Sequence, residues 1–161
     1  MIEIRKYAEQ DKEKIWKIIE FVASKGDSFT YAPNVSREVA LADWCDSEKH
    51  TFVAIEDGEI VGTFYIKANQ TGLGSHIANG SYMVAPEGRG KSVGRLMGEF
   101  SIEEARRLGF RSMQFNFVVK SNEKALKLWK SLGFEIVGEI PEAYQHLENG
   151  LTNAYIMYRK L

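Results

Sequence analysis

Apolar and polar residues alternate from Ile2 to Tyr7 (IEIRKY), and this period-two pattern predicts a strand with one buried face. Similar apolar runs predict six further strands, over residues 51–56, 60–67, 76–85, 112–119, 134–140 and 153–159. Asp57 and Gly58 separate the second strand from the third. They predict a tight hairpin, because both central positions of a type I′ turn need positive φ.

Apolar residues at helical spacing predict four helices between these strands. Asp11 is the predicted cap of the first helix, Ser36 of the second and Ser121 of the last. The third and fourth helices are expected to stop at Gly109 and Gly133. The resulting order, β-α-α-β-β-β-α-β-α-β-β, predicts an α+β fold with a central mixed sheet and helices on both faces. Its later β-α-β segment predicts one parallel strand pair, joined by a right-handed crossover.

Length and composition predict one globular domain spanning residues 1–161. The net charge of −1 excludes the basic excess that bulk binding to nucleic acid or an anionic membrane requires, so neither partner is expected. The single cysteine excludes an internal disulfide and a cysteine-based zinc site, and the histidines lack metal-binding spacing, so no metal is expected. Without a signal-peptide pattern or a membrane-length apolar run, the sequence predicts a cytoplasmic protein.

Glycines and basic residues are interleaved in the segment from Val84 to Gly94 (VAPEGRGKSVG), between a predicted strand and a predicted helix. A glycine-containing turn that leads into a helix presents free backbone N–H groups and the positive end of the helix dipole. Basic side chains add charge, so the segment predicts a site for phosphate or pyrophosphate. The alternative from residue chemistry alone is a solvated turn with scattered positive charge.

Residues 85–92 (APEGRGKS) also come close to the P-loop of nucleotide-triphosphate-binding proteins, with Ala85 in place of its first glycine. A P-loop enzyme needs an acidic residue at the end of a second strand to hold Mg²⁺. No aspartate follows Asp57, and the strand over 112–119 ends without an acid. The hairpins of the first half also differ from the repeated βαβ units of a P-loop sheet. A P-loop nucleotide binder is therefore a distant third hypothesis.

Two sequence blocks together carry a family resemblance. The six positions of the pattern Arg/Gln-x-x-Gly-x-Gly/Ala are occupied by Arg89, Gly90, Lys91, Ser92, Val93 and Gly94. The pattern Asn-x-x-Ala-x-x-Leu-Tyr-x-x-x-Gly-Phe is matched, apart from its tyrosine, by Asn122, Ala125, Leu128, Trp129, Gly133 and Phe134. Both patterns, like the predicted element order, resemble those of the GCN5-related N-acetyltransferases (GNAT family). The resemblance implies an acyltransferase that moves acetyl directly from acetyl-CoA to an amine.

The resemblance also implies which residues hold acetyl-CoA. Backbone groups at the end of the fourth strand would hold the pantetheine arm, at Met83, Val84 and Ala85. The pyrophosphate would lie on the loop formed by Arg89, Gly90, Lys91, Ser92, Val93, Gly94 and Arg95. Near the last helix, the CoA arm and its phosphates would meet Asn122, Lys124 and Trp129.

Two positions depart from the family pattern. Ser92 stands where the family usually has glycine, and its β-carbon is expected to weaken or shift CoA binding without abolishing it. Trp129 stands where the family commonly has a tyrosine that protonates the leaving thiolate, and an indole cannot act as that acid. The Trp129 N–H could donate a hydrogen bond near the sulfur, or the ring could simply continue the apolar helix face. Both departures favour the alternative hypothesis of a non-catalytic CoA-binding sensor or regulatory domain.

In this family, acceptor contacts come from the loop between the first two helices and from the last strands. The candidates are Phe29 and Tyr31 in that loop, and Tyr144 and His146 in the segment PEAYQH. Asn116 is a further candidate, because an amide buried in the apolar run QFNFVV would need a hydrogen-bond partner. Each of these could instead be a packing or surface residue. No general base is identified, and the candidates for catalysis are Asn116, Tyr144 and Trp129.

The segment Phe115-Asn116-Phe117, followed by Ser121-Asn122, is similar to fungal-type acetyltransferases that act on proline analogues. This resemblance implies an amino-acid-sized acceptor with Asn116 among its ligands. The expected partner is therefore a small-molecule amine. A homodimer is a further expectation, because many relatives are dimers.

Overall fold

The computed structural model describes all of residues 1–161 and contains seven strands and four helices. The strands are β1 (Ile2–Lys6), β2 (His50–Glu56), β3 (Glu59–Ala68), β4 (Ile77–Val84), β5 (Ser112–Val119), β6 (Glu135–His146) and β7 (Gly150–Lys160). The helices are α1 (Lys12–Lys25), α2 (Arg37–Trp44), α3 (Val93–Arg107) and α4 (Glu123–Ser131). The element order is the α+β order that the sequence predicted.

All strands form one mixed sheet in the order β1-β2-β3-β4-β5-β7-β6. Only β4 and β5 are parallel, as the β-α-β segment predicted. They pair at one end alone, where Ile77 and Ala78 lie opposite Ser112 and Met113. Beyond Ala78 the two strands continue without pairing to each other. Their divergence opens a cleft in the middle of the sheet.

Helices cover both faces of the sheet. On one face, α3 packs against β3 and β4 and contacts α4, over a buried cluster that includes Phe64, Met97 and Phe115. On the other face, α1 packs against α2, β3 and β4, over a second cluster that includes Ile15 and Trp44. The apolar helix stripes seen in the sequence therefore face the sheet from opposite sides. No helix has both the length and the apolar character needed to span a membrane.

Two predicted helix caps differ from the structure. Asp11 occupies the N-cap position of α1, but its carboxylate makes no bond to the helix and instead pairs with Arg5 at 2.7 Å. Asn122, not Ser121, caps α4, and its Oδ1 accepts from the Ala125 N–H at 3.3 Å. Ser121 and Asn122 can both cap a helix, so the sequence pattern alone could not decide which of the two residues begins α4.

The last hairpin is longer than predicted. β6 continues past Pro141 to His146, which lies opposite Gly150 on β7. Exposed polar residues and Pro141 hid this extension, because β6 is an edge strand whose pairing is irregular between Ile140 and Tyr144. The extension places the residues 144–146 on a strand end beside the cleft.

The hairpin predicted at residues 57–58 is confirmed, with positive φ at both positions.

Candidate active site

A continuous cleft lies between the diverging strands and the N-terminal ends of α3 and α4. Its apolar part, about 280 Å³, is bordered by Tyr82 on β4, Phe115 on β5 and Trp129 on α4. A second part, about 330 Å³, continues along the loop that precedes α3. Both parts are lined by Ser28, Phe29, Tyr82, Val84, Gly94, Asn122, Ala125 and Leu128. No carboxylate lines either part.

Of the three strand-end residues predicted to hold the pantetheine arm, only Val84 directs its backbone N–H and C=O groups toward the cleft. In an antiparallel pair, successive residues direct their N–H and C=O groups alternately toward the partner strand and away from it. The Ala85 N–H donates to the Val61 carbonyl at 2.8 Å, and Met83, opposite Thr63, has the same phase. Met83 and Ala85 therefore face β3, whereas the peptide groups of Val84 face the open edge.

The loop before α3 contains a row of backbone N–H groups that have no acceptor within the chain. They belong to Gly90, Ser92, Val93, Gly94 and Arg95. Gly90 and Ser92 have positive φ values of 78° and 63°, which turn the chain sharply into the helix. Free N–H groups at a helix N-terminus, reinforced by the helix dipole, form a binding site for an anion. The residues present therefore fit the pyrophosphate that the sequence predicted here.

Basic side chains from three elements lie at the mouth of the cleft. Lys25, Arg89 and Lys124 border a polar cavity of about 590 Å³ that also contains the carboxylates Asp27, Glu123 and Glu148. Arg89 lies over the ring of Phe21, 5.4 Å from its centroid, a contact that orders the guanidinium. Arg89 and Lys124 also line the cleft itself, where no carboxylate does. The positive charge available to a phosphate therefore comes mainly from these two residues.

Two other basic residues of the predicted site point elsewhere. The Lys91 ammonium donates to the Glu56 carboxylate at 2.7 Å, and this hydrogen bond raises the pKa of Lys91. The Arg95 guanidinium pairs with Glu99 at 2.9 Å and donates to Ser131 at 3.0 Å. The spacing of basic residues in the loop therefore does not show which of them face the predicted anion site, because Glu56, Glu99 and Ser131 orient these two side chains.

Ser92 has a left-handed backbone, in keeping with the glycine that the family usually has there. Its φ of 63° costs a residue with a β-carbon about 1–2 kcal/mol. Its side chain caps nothing, and its N–H belongs to the free row. A serine at position 92 in place of glycine therefore adds backbone strain, but it leaves the N–H donor in place.

Trp129 is part of the core as well as of the cleft wall. The residue is 7% exposed, and its ring centroid lies 4.5 Å from that of Phe115 and 4.7 Å from that of Tyr82. Phe134 contacts it from a third side, at 5.7 Å. These contacts favour the packing interpretation, since offset and tilted aromatic pairs stabilise a core. One edge of the indole still borders the apolar part of the cleft.

Four predicted acceptor residues from distant parts of the sequence line one cavity of about 460 Å³. Phe29 and Tyr31 come from the α1–α2 loop, and Tyr144 and His146 come from the end of β6. The cavity adjoins the cleft, since Phe29 and Thr30 line both. Its lining contains no aspartate, glutamate, lysine or arginine. It is therefore a neutral chamber, partly aromatic, at one end of the cleft.

Hydrogen bonds join the α1–α2 loop to the β6–β7 hairpin, the two segments that line this chamber. The Tyr144 hydroxyl donates to the Phe29 carbonyl at 2.8 Å, and the Leu147 N–H donates to the Gly26 carbonyl at 3.1 Å. Burial raises the pKa of Tyr144, so this phenol keeps its proton at neutral pH. The two loops are thus tied at two points on either side of the chamber.

The imidazole of His146 stabilises the hairpin turn. Its Nδ1 accepts hydrogen bonds from the N–H groups of Glu148 and Asn149, both at 3.1 Å. In a neutral imidazole the proton must then be on Nε2. This buried side chain therefore shapes the chamber through the turn that follows it.

Tyr31 is held from outside the chamber. Its hydroxyl donates to the Asp43 carboxylate on α2. Burial, and after it this hydrogen bond, raises the pKa of Tyr31, so it remains a neutral phenol. At Asp43, desolvation acts to raise the pKa, but hydrogen bonds from Tyr31 and Lys49 outweigh it and leave the pKa lowered.

Asn116 is separate from these residues. It is exposed rather than buried, and it lines neither the cleft nor the chamber. Its amide donates to Asn69 Oδ1 at 2.7 Å and accepts from Gln114 at 2.9 Å. The apolar run around it suggested burial, but the side chain lies at the surface, where these two amides are its partners.

Sequence reasoning missed several residues that line the cleft. Tyr82, Phe117 and Leu128 form much of its apolar wall, and Lys25 adds charge at its mouth. Tyr82 could have been found, because it precedes the predicted strand-end residues by one position. Lys25 could not, because only the tertiary fold brings the end of α1 next to the loop before α3.

Comparison with known proteins identifies the family of this chain. The model of the acetyltransferase (GNAT) family matches residues 14–134. N-acetyltransferase aca1 of Schizosaccharomyces pombe is 40% identical over 98 residues, which are 60% of this chain and 47% of that protein. The chain therefore spans about half the length of this curated relative.

Solved structures show the same fold over the full chain. A GCN5-related N-acetyltransferase from Kribbella flavida is 36% identical with a TM-score of 0.95, over 99% of this chain and 98% of that one. A phosphinothricin acetyltransferase from Sinorhizobium meliloti, solved in complex with acetyl-CoA, has a TM-score of 0.86 at 22% identity. That match covers 99% of this chain and 88% of the other.

Proposed function

The chain belongs to the acetyltransferase (GNAT) family, whose members transfer acetyl from acetyl-CoA, and on that premise we propose that it acetylates a small-molecule amine of amino-acid size. The observation that carries this proposal is the continuity of the cleft with the chamber. The cleft begins at the free N–H groups before α3, and it adjoins the chamber at Phe29 and Thr30. Residues 1–161 would form one such transferase domain.

The donor would lie along the cleft. The free N–H row from Gly90 to Arg95 supports binding of the pyrophosphate, with Arg89 and Lys124 supplying charge. The exposed peptide edge at Val84 supports hydrogen bonds to the amide-containing pantetheine arm. Acetyl-CoA would supply an activated thioester, and the apolar walls around Trp129 would displace water from it on binding.

The acceptor chamber has the hydrogen-bonding character that an amine needs. Both phenol protons are committed, from Tyr31 to Asp43 and from Tyr144 to the Phe29 carbonyl. The phenol oxygens therefore keep only lone pairs, which can accept from an N–H group. The volume of about 460 Å³ suits a small molecule.

The chain would transfer acetyl to an amine that is already neutral. No carboxylate lines the cleft or the chamber, and the His146 nitrogen that could accept a proton already accepts two hydrogen bonds. The neutral nitrogen would attack the thioester carbon, the carbon–sulfur bond would break to release CoA as thiolate, and the surplus proton of the nitrogen would leave to solvent, from which the thiolate takes one. A thiol with a pKa of about 8.5 is a tolerable leaving group near neutral pH, so a dedicated acid at Trp129 is dispensable.

The experiment is a thiol-release assay with acetyl-CoA and an amine panel. The panel contains free amino acids, proline analogues, polyamines and N-terminal peptides. We expect steady release of CoA thiol with an amino-acid-sized amine, and slow release with peptides too large for the chamber. The release should rise with pH as the amine loses its proton. Preference for a peptide over every small amine would contradict the proposal.

The core packing of Trp129 and the strain at Ser92 favour a second candidate, a CoA-binding regulatory domain without turnover. Calorimetric binding of CoA without thiol release from any amine would support it. Steady turnover with any amine would exclude it.

A further inference from the structure

The α1–α2 loop packs, through Phe29, on the buried Trp44 ring, which in turn contacts Thr63 and Tyr65 of the sheet. Trp44 is 1% exposed, and its indole N–H donates to Thr63 Oγ1 at 3.0 Å on β3. The edge of Tyr65 packs against it, with ring centroids 4.9 Å apart. The Phe29 ring lies 6.2 Å from Trp44 on the side of the loop. Phe29 thus rests on a fixed apolar support.

Polar contacts of Lys49 and Asp43 provide a second support for the α1–α2 loop. The Lys49 ammonium lies 4.3 Å above the Tyr65 ring, and its side chain is only 7% exposed. It donates to the Asp43 carboxylate at 3.0 Å and to the Asp43 carbonyl at 2.6 Å. A buried ammonium with two such bonds holds the carboxylate in one orientation. That carboxylate then accepts from the Tyr31 hydroxyl.

We propose that Asp43 is a positioning residue for the acceptor: braced by Lys49, it holds the Tyr31 ring as a wall of the acceptor chamber without lining the chamber itself. The expected effect on the acceptor KM rests on the proposed function, whereas the expected effect on the loop does not. Asp43 is absent from the lining of both the chamber and the cleft, whereas Tyr31 lines the chamber. Loss of Asp43 would release the loop from Gly26 to Val35 at its middle and enlarge the chamber.

The first test measures the loop and needs no substrate. Hydrogen–deuterium exchange is followed over residues 27–35 in the wild type, Asp43→Ala, Asp43→Asn and Tyr31→Phe. We expect at least fivefold faster exchange there in Asp43→Ala and in Tyr31→Phe, because both lose the same hydrogen bond. Asp43→Asn keeps an oxygen acceptor and should restore most of the protection. Unchanged exchange in Asp43→Ala would overturn the proposal, whatever the catalytic activity.

The matched control is another exposed carboxylate of the α1–α2 pair, one that does not contact the loop between the two helices. Glu13 on α1 pairs with Arg37 on α2 at 2.9 Å and lines neither the cleft nor the chamber. Glu13→Ala should leave exchange over residues 27–35 within twofold of the wild type. Equal acceleration in Glu13→Ala and Asp43→Ala would mean that the helix pair is merely loosened, which contradicts a specific role for Asp43.

The second test separates acceptor binding from donor binding. In Asp43→Ala we expect the acceptor KM to rise about tenfold, while the acetyl-CoA KM and kcat stay within twofold. The double variant Tyr31→Phe/Asp43→Ala should resemble either single variant, because both remove one shared interaction. Equal increases in both KM values, or additive effects in the double variant, would overturn the proposal. A wild type that turns over no amine would refute the proposed function, and the exchange test would still decide the role of Asp43.

Discussion

The part of the cleft proposed to bind the donor is built on a packed aromatic core, whereas the chamber proposed for the acceptor lies between the α1–α2 loop and the β6–β7 hairpin, which are joined by hydrogen bonds. On the donor side, Trp129 contacts Tyr82, Phe115 and Phe134 within one large buried cluster. At the chamber, the two lining segments are joined by single hydrogen bonds such as that from the Tyr144 hydroxyl to the Phe29 carbonyl. Each such bond contributes only about 0.5–1.5 kcal/mol.

Because of this difference, we expect substitutions in the aromatic core to change mainly the stability of the protein, and substitutions at the chamber to change mainly its acceptor specificity. A substitution in the aromatic core removes many contacts at once, so it should first lower the free energy of unfolding. A substitution between the loops should change the shape of the chamber while the fold persists. The four predictions below test that separation, from the largest expected effect to the smallest.

Trp129→Ala should destabilise the protein by about 3–5 kcal/mol, because it leaves a cavity among three aromatic rings. Urea unfolding followed by circular dichroism measures the change. Trp129→Phe is the control, since it keeps an aromatic ring and removes the N–H. Full stability with a large loss of kcat in Trp129→Phe would contradict the packing role and assign function to the indole N–H.

Gly26→Ala should cost about 2 kcal/mol and raise the acceptor KM more than the acetyl-CoA KM. Gly26 has a φ of 57°, and an added β-carbon would overlap the Leu147 side chain. The matched control is Gly109→Ala, which has a φ of 90° and no atom within 4 Å of the added carbon. Both should lose stability, but only Gly26→Ala should affect the acceptor. An equal effect of both on the acceptor KM would contradict the loop model.

Arg89→Ala should raise the acetyl-CoA KM about tenfold with the acceptor KM unchanged, because Arg89 is the loop cation that lines the cleft. Lys91→Ala should change the acetyl-CoA KM less than threefold, because its ammonium pairs with Glu56. Initial rates at varied acetyl-CoA measure both. A larger effect from Lys91→Ala would mean that Lys91 leaves Glu56 when the donor binds.

Ser92→Gly should tighten acetyl-CoA binding a few-fold and change stability by less than about 1 kcal/mol. Glycine relieves the strain at φ 63° and keeps the N–H, but it also adds entropy to the unfolded chain. Isothermal titration with CoA measures the affinity. Weaker binding by Ser92→Gly would show that the serine hydroxyl itself contacts the donor.

The parts of this molecule that sequence could predict are those set by local chemistry. Strand alternation and apolar helix spacing depend on neighbouring residues, so the element order followed directly. The row of free N–H groups before α3 was predictable for the same reason, because it results from the backbone between Gly90 and Arg95. The gathering of Phe29, Tyr31, Tyr144 and His146 required the family resemblance in addition.

Side-chain direction was the part that sequence could not supply. Lys91 and Arg89 look equivalent in the loop, yet Glu56 attracts the first and the Phe21 ring orders the second. Asn116 pairs with Asn69, which is 47 residues away, and so lies outside the cleft. In each case a residue from another element decides the outcome, and its position depends on the complete fold.

The short parallel pairing between β4 and β5 has a thermodynamic consequence. Two residue pairs are the only sheet pairing that joins the N-terminal strands to β5, β6 and β7. A donor lying in the cleft would contact both groups of strands and so act as a non-covalent link between them. At a ligand concentration of 100 times Kd, such binding adds about 2.7 kcal/mol to the free energy of unfolding. The concentration of acetyl-CoA around the protein would then govern its lifetime as well as its rate.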